Sequence, residues 1–209
     1  KAISKKTKAI LPVHLFGQPC DIEKIQSIVQ KHGLVVVEDA AEAHGALYKG
    51  KKVGSLGEIG CFSFFANKVI TTGEGGMLVT NNKILAEKIK MYRDHGSSKK
   101  RKYYHPHLGY NYRMTNLQAA LGLAQVQKID KIIERKIEIA RVYAKNLESL
   151  VPEITLQPKA DWAKNIFWMY SILINTKGRK NRDYLMRELK KKGIDSRPFF
   201  FPIHRLARF

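Results

Sequence analysis

Lys68 and Asp39 are the residues whose type and position invite chemistry. Lys68 comes just after the apolar run Gly60-Cys-Phe-Ser-Phe-Phe65 and just before the glycine-rich turn Thr71-Thr-Gly-Glu-Gly-Gly76. An amine at the edge of an apolar strand loses part of its water, and desolvation is one way a lysine becomes a nucleophile toward carbonyl carbon. Asp39 stands beyond Leu34-Val-Val-Val37, where a carboxylate is costly unless a cation pairs with it. A protonated ring nitrogen would be such a cation. Each residue also has a plain alternative. On spacing alone Lys68 reads first as a solvated loop lysine, and Asp39 serves equally well as the N-cap of a following helix.

The elements that must position these two residues follow from patterning. Ala9-Ile-Leu-Pro-Val-His14 predicts a short buried strand. Asp21 predicts an N-cap for a helix with Ile22, Ile25, Ile28 and Val29 on one face, stopped by Gly33. The run Leu34–Val37 predicts a strand covered on both faces, as in a parallel sheet. Strand, helix and strand at this spacing make a βαβ unit, and ligands collect at the carboxyl ends of such strands, where Glu38 and Asp39 stand. Six of the 15 glycines fall within residues 54–76 and imply tight turns and close backbone packing. Met77–Thr80 predicts a strand, Asn81 and Asn82 cap a helix to about Arg93, and Asp94–Tyr112 reads as an irregular loop. Thr115 and Gln118 form a capping box ahead of one long helix. Its stripe runs through Leu117, Leu121, Ala124, Ile129, Ile132, Ile133, Ala140, Tyr143 and Leu147. After Pro152 and Pro158 come a strand over Phe167–Ile174, a helix over Arg182–Lys192 closed by Gly193, and a strand over Pro198–Phe201. The expected architecture is a large α/β domain with a bridging helix over 1–148 and a smaller α/β domain over 149–209.

Four stretches carry a more specific signal. They are Thr7-Lys-Ala-Ile-Leu-Pro-Val-His-Leu-Phe-Gly-Gln-Pro-Cys-Asp21, Val37-Glu-Asp-Ala-Ala-Glu-Ala-His-Gly-Ala46, Phe62-Ser-Phe-Phe-Ala-Asn-Lys-Val-Ile-Thr-Thr-Gly-Glu-Gly-Gly-Met77 and Gly109-Tyr-Asn-Tyr-Arg-Met-Thr-Asn116. In this order they resemble the DegT/DnrJ-type nucleotide-sugar aminotransferases, which are fold-type-I pyridoxal-phosphate enzymes. The ending Gly193-Ile-Asp-Ser-Arg-Pro-Phe-Phe-Phe-Pro-Ile-His204 resembles that family's substrate-end motif. The resemblance implies a large domain with a mixed, mostly parallel sheet, a bridging helix and a truncated small C-terminal domain. It places Lys68 on the Schiff-base lysine that also shuttles a proton between the amino donor and the cofactor. Asp39 falls on the acid that pairs with the pyridine nitrogen, Ser63 on the hydroxyl that holds the phosphate, and Glu42 on a position close to the ring. Asn111 matches an asparagine that reaches across a homodimer interface to the neighbour's phosphate. Arg113 and His204 fall on the substrate side, although an arginine before a helix can also cap it and a lone histidine near a chain end is usually structural. Some relatives carry histidine at the lysine position and dehydrate their substrate, so Lys68 implies amino transfer. Ala43-His-Gly45 and Phe64-Phe-Ala-Asn67 look most like the perosamine-synthase-like branch, which implies a nucleotide-linked 4-keto-6-deoxy sugar as acceptor and an amino acid, glutamate, as donor. The family's N-terminal segment precedes Thr7 in that alignment, and its Pro-rich continuation follows Phe209.

Composition narrows the rest. The chain has 209 residues, 44% of them apolar, with 38 Lys and Arg against 18 Asp and Glu, for a net charge of +20. That balance fits a globular protein and puts phosphorylated partners, nucleic acid and anionic membrane on the list without choosing among them. Of the basic residues 27 are Lys, and Lys99-Lys-Arg-Lys102 beside Tyr103 and Tyr104 is the densest run. It reads either as a nucleic-acid patch or as a solvated loop near a diphosphate site, and no zinc-finger or basic-zipper pattern supports the former. A regulatory family member with altered catalysis is the other alternative, against which Lys68 and Asp39 speak. Neither nucleic acid nor membrane is therefore an expected partner. His14, His44, His95, His105 and His107 are too scattered for a metal-ligand pattern, though His105 and His107 flank Pro106 in the loop ahead of Gly109. Cys20 and Cys61 are expected in the core of a protein from a reducing compartment, the cytoplasm. Lys1-Ala-Ile-Ser4 offers no initiator Met or signal-peptide core and the end has no polar tail, so both ends read as cut from a longer protein.

Overall fold

The computed structural model describes residues 2–176, 178 and 181–207. The N-terminal βαβ unit forms around the predicted cap. Asp21 accepts the Lys24 N–H ahead of α1 (Ile22–His32), and Gly33, at φ 61°, turns the chain out of it. On either side lie β1 (Ala9–Ile10) and β2 (Val35–Asp39), paired in parallel. The expected strand over 9–14 stops early because Pro12 has no N–H to give the ladder. Contact with β2 resumes only through the Pro12 carbonyl, which accepts the Asp39 N–H at 2.9 Å, and the His14 N–H, which donates back to Asp39 at 3.0 Å.

β3 (Leu47–Tyr48) and β4 (Lys51–Lys52) make a short hairpin that pairs antiparallel with β8 (Ala163–Lys164). β5 (Ile59–Ser63) returns to β2 in parallel, and β6 (Gly76–Val79) adds antiparallel to β5. The main sheet thus runs β1-β2-β5-β6, mixed and mostly parallel as expected. β2 departs from the expectation of burial on both faces. Val36 and Glu38 are buried whereas Val35 is 42% exposed. The turn over residues 54–57 and α1 cover the Val36–Glu38 face: Gly57 lies against Val36, and Gln26 of α1 donates to the Leu56 carbonyl. Gly60 lets β5 approach that turn, since a Cβ there would sit 2.0 Å from the Gly54 carbonyl oxygen.

Glu38 holds this corner together. Its carboxylate accepts the backbone N–H groups of Gly54 (2.7 Å), Leu56 (2.6 Å) and Gly57 (2.6 Å) and contacts His14 Nε2 at 3.0 Å. Cys20 N–H donates to His14 Nδ1, so Nε2 carries the ring proton and gives it to Glu38. Burial alone would raise the Glu38 carboxyl. The His14 and backbone hydrogen bonds together outweigh it and hold the group below the ordinary value of 4.5.

α2 (Lys83–Arg93) starts at Asn82, whose side chain accepts the Ile84 and Leu85 N–H groups. The long helix expected after Thr115 is two helices, α3 (Asn116–Val126), with the predicted capping box, and α4 (Ile129–Leu147). Between them Lys128 N–H bonds to Gln125, one residue short of helical register. The apolar stripe carries the same defect, a five-residue step from Ala124 to Ile129. Ile133 and Ala140 of α4 reach the core, which also holds Phe16, Ile22, Tyr48, Ile166 and Trp168. Cys20 packs against this core, whereas Cys61 lies half-buried on the more open face of the sheet, contrary to expectation.

Two compact units result, Lys1–Ala140 with Lys159–Met169, and Arg141–Pro158 with Tyr170–Phe209. In the second, β7 (Ile154–Leu156) pairs antiparallel with β9 (Ile172–Ile174), and α5 (Arg182–Lys191) begins at the Asn181 cap and ends before Gly193 at φ 76°. β9 is shorter than the strand expected over 167–174 because Phe167 adopts a left-handed φ of 49° that no ladder accommodates. The segment Pro198–Phe201 forms no strand: Pro198 has no N–H, and Phe199, Phe200 and Phe201 are exposed. No described helix is long and apolar enough to cross a membrane.

Glu38→Ala is expected to cost about 3 kcal/mol or more, because it strands three buried N–H groups and a buried imidazole. The wild-type contribution is present above the ordinary carboxylate range and is lost as pH falls through the lowered Glu38 value. Urea unfolding of both proteins from pH 7 to pH 3 tests this: the gap between them should narrow at the acid end.

Candidate active site

The pleat of β2 separates two adjacent acids. Glu38 faces the covered side, so Asp39 faces the more open one. Asp39 lies opposite Cys61 of β5, and residues opposite each other or two apart share a face, so Asp39, Cys61 and Ser63 line the same side. Strand spacing and rise put Asp39 and Ser63 roughly 8 Å apart. Asp39 Oδ1 accepts the Ala41 N–H at 3.0 Å, closing a turn, and Oδ2 accepts from no described residue. Residues 40–46 form turns and not a helix, so Asp39 has no helix to cap. Ser63 Oγ accepts the Phe65 N–H at 3.2 Å, and its own proton has no acceptor among the described residues.

Lys68 is not a solvated loop lysine. Its side chain is 13% exposed, with Nζ 3.6 Å from Glu42 Oε1 and 4.2 Å from the centre of the Trp168 ring. Glu42 is itself buried, and its Oε2 accepts the Phe16 N–H at 2.8 Å. The Trp168 indole N–H donates to the Asn67 carbonyl at 2.8 Å, and its ring meets Phe16 edge-on at 5.6 Å. Trp168 carries no site signal in the sequence: it stands 100 residues from Lys68, inside an apolar run that reads as a strand. Only its indole N–H, which needs a partner when buried, hints at more.

α3 fixes the glycine-rich turn beyond Lys68. Gln125 accepts the Thr71 N–H at 3.1 Å and donates to the Thr71 carbonyl at 2.5 Å, while Gln118 donates to the Glu74 carbonyl at 3.0 Å. Thr71 Oγ1 donates to the Phe64 carbonyl at 2.9 Å and so ties the turn to the end of β5.

His44 is buried against Phe62 and Phe64, with ring centres 5.3 and 5.9 Å away, and neither ring nitrogen has a well-formed hydrogen bond among the described residues. Burial brings its imidazole down to about 4, opposed by the Ser63 backbone and reinforced by the charge of Lys68. The ring is therefore neutral at pH 7.

Asp39, Glu42, Ser63 and Lys68 all stand at the carboxyl ends of β2 and β5 or in the turns that follow. Asn111 and Arg113 do not join them. Both are exposed on the loop after α2, where Asn111 bridges to Asp94 and Arg113 Nε lies 3.3 Å from Asp94 Oδ1. His204 is exposed on a single 3₁₀ turn, Ile203–Arg205, in the second unit. His95, His105 and His107 line an open cavity of about 590 Å³ with Leu108 and Gly109. Among the described residues no three His, Cys, Asp or Glu side chains are placed to hold a metal. In the basic run, Lys99 pairs with Glu87, Arg101 lies over Tyr104 at 5.1 Å and Lys102 over Tyr103 at 5.0 Å.

An acid and a hydroxyl on one sheet face, with a shielded lysine in the next turn, are the groups that would hold an aromatic cation, a phosphate and a carbonyl. The whole chain, residues 1–209, matches the DegT/DnrJ/EryC1/StrS aminotransferase family. The chain belongs to this family. It is 46% identical over 202 residues to a GDP-perosamine synthase of Caulobacter vibrioides, covering 97% of this chain and 54% of that protein. It is 47% identical over 207 residues to a GDP-perosamine synthase of Escherichia coli O157:H7, covering 99% and 56%. A putative sugar aminotransferase of Streptococcus pneumoniae in its PLP form superposes with a TM-score of 0.91 at 27% identity, covering 99% of this chain and 58% of that one. The chain spans about half the length of the curated relatives it matches. Within this DegT/DnrJ/EryC1/StrS member the sheet and the two β-strand ends are those a fold-type-I aminotransferase presents.

The buried imidazole gives this site a pH signature. His44 binds its proton near 4 in the fold and near 6.5 when exposed, so the unfolded chain gains a proton first as pH falls. Stability should drop between pH 6.5 and pH 4, by about 3 kcal/mol at most. Chemical denaturation of the wild type and His44→Leu across that range checks it, with the leucine variant expected to lose most of the slope.

Proposed function

We propose that this chain is the catalytic core of a pyridoxal-phosphate-dependent aminotransferase that moves an amino group from an amino acid, glutamate, to a nucleotide-linked 4-keto-6-deoxy sugar. The product would feed surface polysaccharide or related sugar biosynthesis. The observation that carries this reading is the shielded Lys68 amine beside a sheet face bearing Asp39 and Ser63 with unused hydrogen-bonding capacity. The names of the Caulobacter and Escherichia relatives support a GDP-linked sugar as the substrate class.

The residues present fit the cofactor. Asp39 keeps one carboxylate oxygen open for a protonated ring nitrogen, and Ser63 keeps a proton for a phosphate oxygen on the same face. Bound there, pyridoxal phosphate supplies an electron sink for the carbanion formed when the donor loses its α-proton. Lys68 would hold the cofactor covalently and carry that proton on Nζ. Glu42, anchored by the Phe16 N–H, would keep Nζ in place on the side away from solvent. His44 would stay neutral against Phe62 and Phe64.

Asn111 and Arg113 are assigned to a shared homodimer site, in line with their exposure. His204 is assigned to the substrate side on its motif alone, and a cytoplasmic location fits a protein whose cysteines are free. A regulatory role gains no support from a site with its lysine and acid in place.

The test uses the full-length protein with pyridoxal phosphate. Borohydride should fix the cofactor to Lys68, seen by peptide mass, and Lys68→Ala should lose both the fixed cofactor and at least about 10³-fold of amino transfer. Asp39→Asn should retain cofactor but lose about 10²-fold or more of the rate. An alanine variant that transfers amino groups to GDP-linked keto-sugars at the wild-type rate would overturn the assignment of Lys68.

A further inference from the structure

We infer that Trp168 is a positioning residue for Lys68: its indole face and the Glu42 carboxylate form a two-sided clamp that holds the lysine amine whenever that amine is free. The inference rests on the proposed role of Lys68 and adds to it a residue from a distant segment. Nζ lies 3.6 Å from the carboxylate and 4.2 Å from the ring centre, a distance at which the negative face of an indole attracts a cation.

Trp168 is fixed at each of its polar groups. Its backbone N–H donates to the Phe16 carbonyl at 3.0 Å, its indole N–H to the Asn67 carbonyl at 2.8 Å, and its carbonyl accepts Lys136 Nζ of α4 at 2.8 Å. Lys136 is half-buried and has no carboxylate within ion-pair distance among the described residues, so it spends its charge on that one carbonyl. The two backbone bonds hold the Trp168 main chain, and the indole N–H bond to Asn67 orients the ring whose face lies 4.2 Å from Nζ.

One residue ties the two sides of the clamp together. Phe16 gives its N–H to Glu42 and its carbonyl to Trp168. It does so from a left-handed conformation, φ 54°, and Phe167 beside Trp168 is left-handed as well, φ 49°. Such residues persist only where surrounding contacts over-determine them, and they gather at functional sites. Gly17 makes the approach possible, since a Cβ there would stand 2.6 Å from the Ile166 side chain and 3.1 Å from the Phe167 nitrogen.

An amine open to water acylates readily, whereas one held against a carboxylate and an aromatic face is shielded from the reagent. The test is competitive acetylation of the full-length apoprotein at pH 7.5, reading Lys68 by peptide mass against the other lysines as internal references. Trp168→Leu and Trp168→Met should speed Lys68 acetylation roughly five- to tenfold, with the reference lysines unmoved. Trp168→Phe keeps an aromatic face and should stay within about twofold of wild type. Lys68 acetylated at the wild-type rate in either folded non-aromatic variant overturns the clamp, and so does a phenylalanine variant as fast as the leucine one. Borohydride fixation in the wild type reads the role of Lys68 separately. Cofactor fixed elsewhere, with acetylation still sensitive to Trp168, removes the catalytic role and leaves the clamp; the reverse pattern removes the clamp alone.

Discussion

A carboxylate cannot be left bare inside a protein, and the way Glu38 is satisfied sets the geometry of everything around it. Its oxygens gather His14 from the segment after β1 and three N–H groups from the turn before β5. The end of β2 is thereby fixed against both its neighbours in the sheet. Because successive side chains alternate across a strand, committing Glu38 to the covered face commits Asp39 to the other. One acid is spent on structure so that the next is aimed. The same alternation on β5 puts Phe62 against His44 and leaves Ser63 on the face that bears Asp39.

This division of labour marks where the sequence stops being informative. Glu38 and Asp39 both stand at the carboxyl end of an apolar run, and residue type alone does not separate a structural from a functional acid. The helix starts and stops were legible because they are local: Asp21, Asn82, Thr115 with Gln118, and Gly33 each act within four residues of themselves. What failed was non-local. A run of four apolar residues looks alike whether one face or two are covered, so the exposure of Val35 was invisible. Two-residue strands such as β3 and β8 carry no period, and the break before α4 shows only as a five-residue step in an otherwise helical stripe.

The candidate site divides along the same line. Lys68 and Asp39 could be singled out from their neighbours in the chain, and motif likeness added Glu42 and Ser63. Trp168 could not be found this way, because its relation to Lys68 is made by folding a segment about 100 residues away onto the turn. A turn is ordinarily the mobile part of a fold. Here it is held from two directions, by the glutamines of α3 on its glycine-rich side and by Trp168 at Asn67. Precision in a loop is thus borrowed from two elements that no local pattern connects to it.

Charge behaves differently at the two scales. The chain carries +20 overall, yet much of that surplus sits on exposed Lys and Arg, in the 99–102 loop and at the end of α5, where the helix dipole favours it. Fields from such groups are screened within about 10 Å of solvent path. Inside, the balance is nearly neutral: Lys68 is met by Glu42, His44 is kept uncharged by burial, and Asp39 faces the open side with one oxygen unspent. The outer surplus can draw a phosphorylated molecule toward the protein but cannot orient it. In the proposed function, orientation would fall to groups whose hydrogen bonds leave a defined capacity over, such as Asp39 and Ser63 on the sheet.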